Sequence, residues 1–288
     1  MKTYLDLERV AAAHWRGTEE EWLGDWLLRA ADGFTGRANS VLPLGDRGLP
    51  LETALAAVTR WYRDRGLLPM IVIPVPSDDD GPADGLDDEL ARRGWATRKA
   101  PAFVMVADLP AAGAAGAAGA AGAAGVSAGG APAAVLPGRL PAGLVFRADP
   151  DPDDAWLAAY HYRGLADQPP VMRTVLTSAA DQLFVSIRTA DTGRAPGPVV
   201  AIARLSLAGG WAGITAVEVS PEYRRAGLGG ALTRELLASA AAHAVSKVFL
   251  QVEVDNEAAR RLYERAGFRY SHRYHYRVAP LPASEATD

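Results

Sequence analysis

The stretch SPEYRRAGLGGALTREL, Ser220 to Leu236, sets an arginine pair and three glycines ahead of a helical pattern. The first turn of a helix has unpaired amides and a partial positive charge, which suits it to an anion such as phosphate. Glycine lets the backbone approach an anion closely and take positive φ without a Cβ clash. Arginine adds charge-assisted bonds to the same oxygens. Two other phosphate motifs fail on spacing. No GxxxxGK(S/T) string follows, and Gly227-Leu228-Gly229 lacks the third glycine of GxGxxG, because Leu232 stands in its place. What remains is R-x-x-G-x-G over Arg224–Gly229.

A second motif follows. Asn256 to Phe268 reads NEAARRLYERAGF. With both motifs in order and a strand pattern before each, the segment from about Leu144 to Val278 resembles a GCN5-related N-acetyltransferase (GNAT). The resemblance implies acetyl-CoA as co-substrate and no metal. It places the pyrophosphate on the amides of Arg225, Ala226, Gly227, Leu228, Gly229 and Gly230, with Arg224 alongside. The strand from Val217 to Val219 would pair with the pantetheine arm, and the amide of Val217 would receive the oxyanion. Tyr263 falls on the family's general-acid tyrosine; the alternative is a core aromatic on an amphipathic helix. Asn256 is a cofactor contact, the helix N-cap, or both.

The base is not given by the pattern. The position where many family members hold a glutamate is Gly213, and the fifth-strand alternative is Gln251. Glu218 and Glu253 are the nearest carboxylates, each equally readable as a solvated or paired strand glutamate. The last strand alternates an aromatic face (Phe268, Tyr270, Tyr274, Tyr276) with a basic one that includes Arg269, Arg273 and Arg277. That basic face either receives an acidic substrate or keeps an edge strand soluble. Tyr160 and Tyr162, on the expected first helix of this half, are candidates for lining the acceptor mouth.

The elements that must carry these residues come in two runs. MIVIPV and AFVMVADL read as strands around a short helix LDDELARRGW; KVFLQVEV and FRYSHRYHYRV surround NEAARRLYERAG in the same way. ELARRGW aligns with LYERAGF, which puts Leu90 opposite Tyr263. Between the runs lies AAGAAGAAGAAGAAG, too rich in glycine for a stable helix and without a large side chain for a core. The expected organisation is an α/β chain of tandem GNAT-like mixed sheets flanked by helices. A degenerate N-terminal copy spans 1–110, an Ala/Gly linker 111–134, and the acetyl-CoA-binding domain 135–288. The first half, with EEEWLGDWLLRAADGFTGRANSVLPLGD, is similar to actinobacterial two-part acetyltransferases of the N-acetylglutamate synthase type. Its loop holds Asp46 where the second half has R-x-x-G-x-G.

The expected reaction is direct transfer of acetyl to the amine of a small molecule, an amino acid such as glutamate among the candidates. An amino-sugar thiol acceptor, as for mycothiol synthase, and a non-catalytic acetyl-CoA sensor are the alternatives. A net charge of −4 gives no general field for nucleic acid or an anionic membrane, and the chain has no cysteine for thiolate chemistry or disulfides. No apolar run approaches a membrane span and the start lacks a signal-peptide pattern. The expected setting is cytoplasmic, as a monomer or homodimer.

Overall fold

Two helices of this chain end on a glycine in the same way. Leu86–Arg92 (α3) stops where Trp95 donates its amide to Leu90 O and Gly94 to Ala91 O, with Gly94 at φ +77°. Glu257–Arg265 (α7) stops where Phe268 donates to Tyr263 O and Gly267 to Glu264 O, with Gly267 at φ +91°. Both are Schellman closures, which need a left-handed residue after the helix. Leu90 and Tyr263 therefore occupy the same place in two identical turns. At its other end α7 is capped by Asn256, whose side chain accepts the amide of Ala259 at 3.1 Å, a device worth about 1 kcal/mol.

The computed structural model describes residues 4–77, 85–109, 140–161, 168–190 and 197–281. The expected linker at 111–134 and Tyr162 lie outside these residues. Before that gap come α1 (Tyr4–His14), β1 (Glu19–Leu23), β2 (Trp26–Ala30), β3 (Leu42–Pro43), α2 (Leu51–Arg63), β4 (Met70–Val75), α3, β5 (Ala96–Thr97) and β6 (Ala102–Asp108). After it come β7 (Leu144–Asp149), α4 (Asp154–Ala158), α5 (Val171–Leu176), β8 (Asp181–Thr189) and β9 (Val199–Ala208). Then follow β10 (Trp211–Val219), α6 (Leu228–Ala242), β11 (Lys247–Glu253), α7 and β12 (Arg269–Val278).

The main sheet runs β4-β12-β6-β11-β10-β9-β8-β7, with β5 on β12, and β1-β2-β3 form a smaller sheet. The two runs of the chain exchange strands. β6, from the first run, lies along β11 from Lys247↔Asp108 to Glu253↔Ala102. β12, from the second, lies along β4 from Arg273↔Val75 to Val278↔Met70. Outward from the β12–β6 pair, the order reads alike both ways: β4 then a parallel bridge Val41↔Ile71 to the β3 end of the small sheet, and β11 then parallel β10. Each strand exchanged this way satisfies its ladder only when both runs are folded.

Side-chain alternation sorts the faces. Ala212 and Ile214 of β10 and Val248 and Leu250 of β11 pack with Leu228, Leu232 and Leu236 of α6. On the opposite face, Phe249 of β11 packs with Leu7, Ala11 and Ala12 of α1. Trp15, Phe34, Trp156, Tyr160, Phe184 and Ile202 continue that face toward β8 and β9. The first run thus covers the side of β10 and β11 opposite α6. No helix among the described residues is long and apolar enough to cross a membrane.

Candidate active site

β10 and β11 start as a parallel pair, from Trp211↔Lys247 to Ile214↔Leu250, and the pairing ends there. Against β9, β10 slips register between Thr215 and Glu218, with Ala216 at φ +52°. This is a bulge: one extra residue bends the strand and leaves Ala216 and Val217 without cross-strand partners. The edge of Thr215–Val219 facing β11 consequently carries no strand, and a gap opens between two strands that were joined a turn earlier. Backbone groups on such an edge are available to a ligand that runs along it.

The arginine–glycine loop closes the end of β10. A short 3-10 turn, Pro221–Tyr223, leads into extended Arg224, left-handed Arg225 at φ +64°, and Gly227 at φ +79° as the N-cap of α6. The first α-helical bond is Ala231 N–H to Gly227 O, so the amides from Ala226 to Gly230 find no acceptor among the described residues. Nothing lies within 4 Å of a Cβ placed on Gly227, so open space stands over the loop. Arg224 donates Nε–H to Val219 O at 3.2 Å, and both arginine side chains are exposed. The loop presents bare amides to open space, the arrangement that suits an anion. The loop in the first run is shut: Asp46 O accepts the amide of Asp25 at 2.6 Å, and a Cβ on Gly24 would stand 2.4 Å from the backbone of Arg47.

Gly229 serves packing rather than turning. A Cβ there would come within 3.0 Å of Leu262 Cδ1, so α7 rests directly on the start of α6. Tyr263, next along α7, belongs to the core cluster that includes Leu228 of α6. Tyr263 is buried, stacks edge-on against Phe268 at 5.8 Å, and has its hydroxyl pushed up to about 12 by burial. It stays protonated across the physiological range and so keeps an O–H to donate.

The two expected carboxylates differ. Glu218 pairs with Ile202 in the ladder and shares its face, the one opposite α6. Burial raises its pKa from the ordinary glutamate value, while the backbone amide and ring of His161 and the charge of Arg224 oppose the rise. Its Oε1 accepts His161 N–H at 2.9 Å and its Oε2 lies 3.4 Å from His161 Nδ1. Glu253 sits exposed at the far end of β11, opposite Ala102. Of the two, Glu218 is the half-buried one beside the bulge.

The empty base position has a physical cause. A Cβ on Gly213 would meet Phe249 Cζ at 2.8 Å, Ser206 Oγ at 2.9 Å and His14 Nδ1 at 3.0 Å. His14, the last residue of α1, fills the space and is itself bonded to Ser206 Oγ at 2.9 Å. Gln251 is held in a related way: its Oε1 accepts from Arg37 Nη1 at 2.9 Å and from the Tyr274 hydroxyl at 3.2 Å. The basic face of β12 is not gathered at the gap. Arg277 donates Nε–H to Asp87 at 2.6 Å and Nη1–H to Trp95 O at 3.1 Å, which ties it to α3. Tyr160 is buried beside Trp156 on the face of Glu218. Sequence reasoning passed over His14, Arg37 and Arg204. The signal for Arg204 was one charge inside the apolar run VVAIARLSL.

A family model, Probable histone acetyltransferase Rv0428c C-terminal, matches residues 5–277. The Mycobacterium tuberculosis protein of that name is 28% identical over 283 residues, covering 96% of this chain and 73% of its own. A Bacillus subtilis protein named Uncharacterized N-acetyltransferase YobR is 24% identical, covering 94% of this chain and 97% of its own. Among solved structures, a GCN5-related N-acetyltransferase from Kribbella flavida superposes with a TM-score of 0.59 at 16% identity, over 96% of this chain and 94% of that one. The model match spans both runs and the gap between them, and the chain belongs to the Rv0428c C-terminal family of GNAT-type acetyltransferases.

Proposed function

We propose that this protein moves acetyl from acetyl-CoA directly to the amine of a small molecule, with an amino acid such as glutamate the leading candidate. The observation that carries the reading is the gap itself: β10 leaves β11 after Ile214↔Leu250, and the bare amides of Ala226–Gly230 lie where β10 ends. A pyrophosphate on those amides would lay the pantetheine arm along Thr215–Val219, and the thioester would reach the bulge. Glu218 takes the proton of the attacking amine, through water if needed. The amine nitrogen adds to the thioester carbonyl and the amide of Val217 holds the oxyanion. The tetrahedral species expels thiolate, and Tyr263 protonates the sulfur. Asn256 acts as the α7 cap, and Glu253 is left outside the chemistry.

We also infer that the first run is a degenerate copy of the second. Supporting this are the mirrored strand order, the matched closures at Leu90 and Tyr263, and the shut loop at Asp46. Leu90 has no hydroxyl to give a leaving group, so a single cofactor site is expected.

A protein amine is the second reading, because the M. tuberculosis relative is named a probable histone acetyltransferase. Thiol release from acetyl-CoA is the test, over a panel of free amino acids, amino sugars and histone-tail peptides. Turnover with free amino acids supports the proposal. Turnover confined to peptides would replace the acceptor class, and tight acetyl-CoA binding without any thiol would make the protein a sensor.

A further inference from the structure

Arg204 is fully buried on β9, and its guanidinium is only half satisfied. Nη1 donates to His14 O at 3.1 Å and to Thr215 Oγ1 at 3.3 Å. Nε and Nη2 have no partner among the described residues. Those two donors share one edge of the planar fork, the edge that matches the two oxygens of a carboxylate. A buried cation is ordinarily paired, and leaving its donors bare is costly. Among the described residues no carboxylate pairs with it; the groups that act on it electrostatically include Arg37, Tyr160 and His14. Arg37 stacks on the Trp15 ring at 4.6 Å and Arg204 faces the same ring at 5.4 Å. Two cations gathered about one indole, neither of them in an ion pair among the described residues, are arranged for a negative group brought from outside.

The place is right for an acceptor. Thr215, which anchors Arg204, is the last residue before the bulge and two before Val217. Glu218 and Arg204 share the face opposite α6, because Ile202, the partner of Glu218, lies two residues from Arg204 on β9. Arg37 is delivered by a tight loop in which Asp32, Gly33 and Thr35 all have positive φ. Asn39 clamps that loop: Oδ1 accepts the amides of Ala31 and Gly33, and Nδ2 donates to Phe34 O at 2.7 Å and Thr35 O at 2.9 Å. Backbone strain held by a dedicated side chain fixes where Arg37 stands.

We propose that the Nε–Nη2 edge of Arg204, assisted by Arg37, takes the carboxylate of the acceptor, so that the substrate is an amine that carries a carboxylate. This rests on the acetyl-transfer reading and specifies its substrate class. Trp15 roofs the ion pair, and the amine is left beside Glu218 and the bulge.

The experiment compares each free amino acid with its carboxamide, in wild type, Arg204→Met, Arg204→Lys and Arg37→Gln. Two readouts are taken: calorimetric binding of the amino acid, and thiol release with its KM and kcat separated. Wild type is expected to favour the acid over the amide by about 10- to 100-fold in Kd and KM, the range for a charged hydrogen-bonded pair. Arg204→Met abolishes that preference with acetyl-CoA binding kept, Arg204→Lys restores part of it, and Arg37→Gln reduces it. Equal KM for acid and amide in wild type, or an unchanged preference in both Arg204→Met and Arg37→Gln, overturns the inference while leaving acetyl transfer intact. Carboxylate binding that needs Arg204, without thiol release, upholds the inference and overturns the acetyl-transfer reading.

Discussion

Glu218 and His161 meet twice, through the His161 amide at 2.9 Å from Oε1 and the ring Nδ1 at 3.4 Å from Oε2. The carboxylate is thus oriented by the segment after α4 while burial raises its pKa. A base raised toward neutrality matches its task better than an ordinary carboxylate. Replacing it, as Glu218→Gln, should lower kcat/KM by roughly 10²- to 10⁴-fold and remove the acidic limb of the pH–rate profile. The stability sign runs the other way. A carboxylate with a raised folded pKa binds its proton more tightly folded than unfolded, so ionising it costs stability as pH rises through the folded pKa. Glu218→Gln should therefore be no less stable than wild type at pH 7 in urea melts. An unchanged pH profile would remove Glu218 from catalysis.

Tyr263→Phe tests the acid. The ring keeps its edge contact with Phe268 and its place in the α6 core, so the melting temperature should stay within about 2 °C, as a shift well under 1 kcal/mol implies. Only the hydroxyl is lost, and with it protonation of the thiolate; kcat should fall at least tenfold with little change in the KM for acetyl-CoA. Rate loss should lessen for acyl donors whose thiol is a better leaving group. A variant that unfolds instead would make Tyr263 a core residue only.

The geometry of the glycine loop and of the ends of α7 was legible because it is written locally. The loop R-x-x-G-x-G, the cap Asn256 and the closing Gly267 each specify a backbone state within a few residues. The acceptor side was not, because it is assembled by pairing across the whole chain. Gly213 looked like a missing base until His14, 199 residues earlier by number, was found in its space. The basic stripe of β12 drew attention to Arg277, but exposure on a strand pattern cannot show that Asp87 already holds it. The exchange of β6 and β12 was equally invisible: alternation tells which side a strand buries, not which neighbour it chooses.

Gly227 and Gly229 should fail differently when changed to alanine. At Gly227 space is open but φ is +79°, so alanine costs about 1–2 kcal/mol of backbone strain and disturbs the seat. Acetyl-CoA binding should weaken with Tyr263 chemistry otherwise intact. At Gly229 the backbone is helical and the obstacle is Leu262 at 3.0 Å, so alanine should push α7 away from α6. The loss should then fall on kcat, through Tyr263, more than on cofactor affinity. Calorimetry with acetyl-CoA beside steady-state kinetics separates the two; identical effects on both parameters would refute the division of labour.

His14 makes the contact between the two runs sensitive to acid. Burial drives its pKa down to about 4, with Arg204 adding to the effect and its bonds to Ala208 and Ser206 opposing it. The unfolded chain binds this proton near pH 6.5, so between about pH 6.5 and 4 the unfolded state holds more protons than the folded one. Its contribution is complete above that window and is lost as pH falls, at up to about 1.4 kcal/mol per pH unit. His14→Asn, which keeps a polar group near Ser206, should flatten the decline in urea midpoint between pH 6.5 and 4.5 while lowering stability at pH 7. The ring also packs edge-on against Phe249 at 4.9 Å, so protonation loosens α1 from β11 and, with it, the wall that fills Gly213. Activity should then fall with the same midpoint as the stability loss in wild type and not in the variant, and a decline common to both would assign the acid sensitivity to another group.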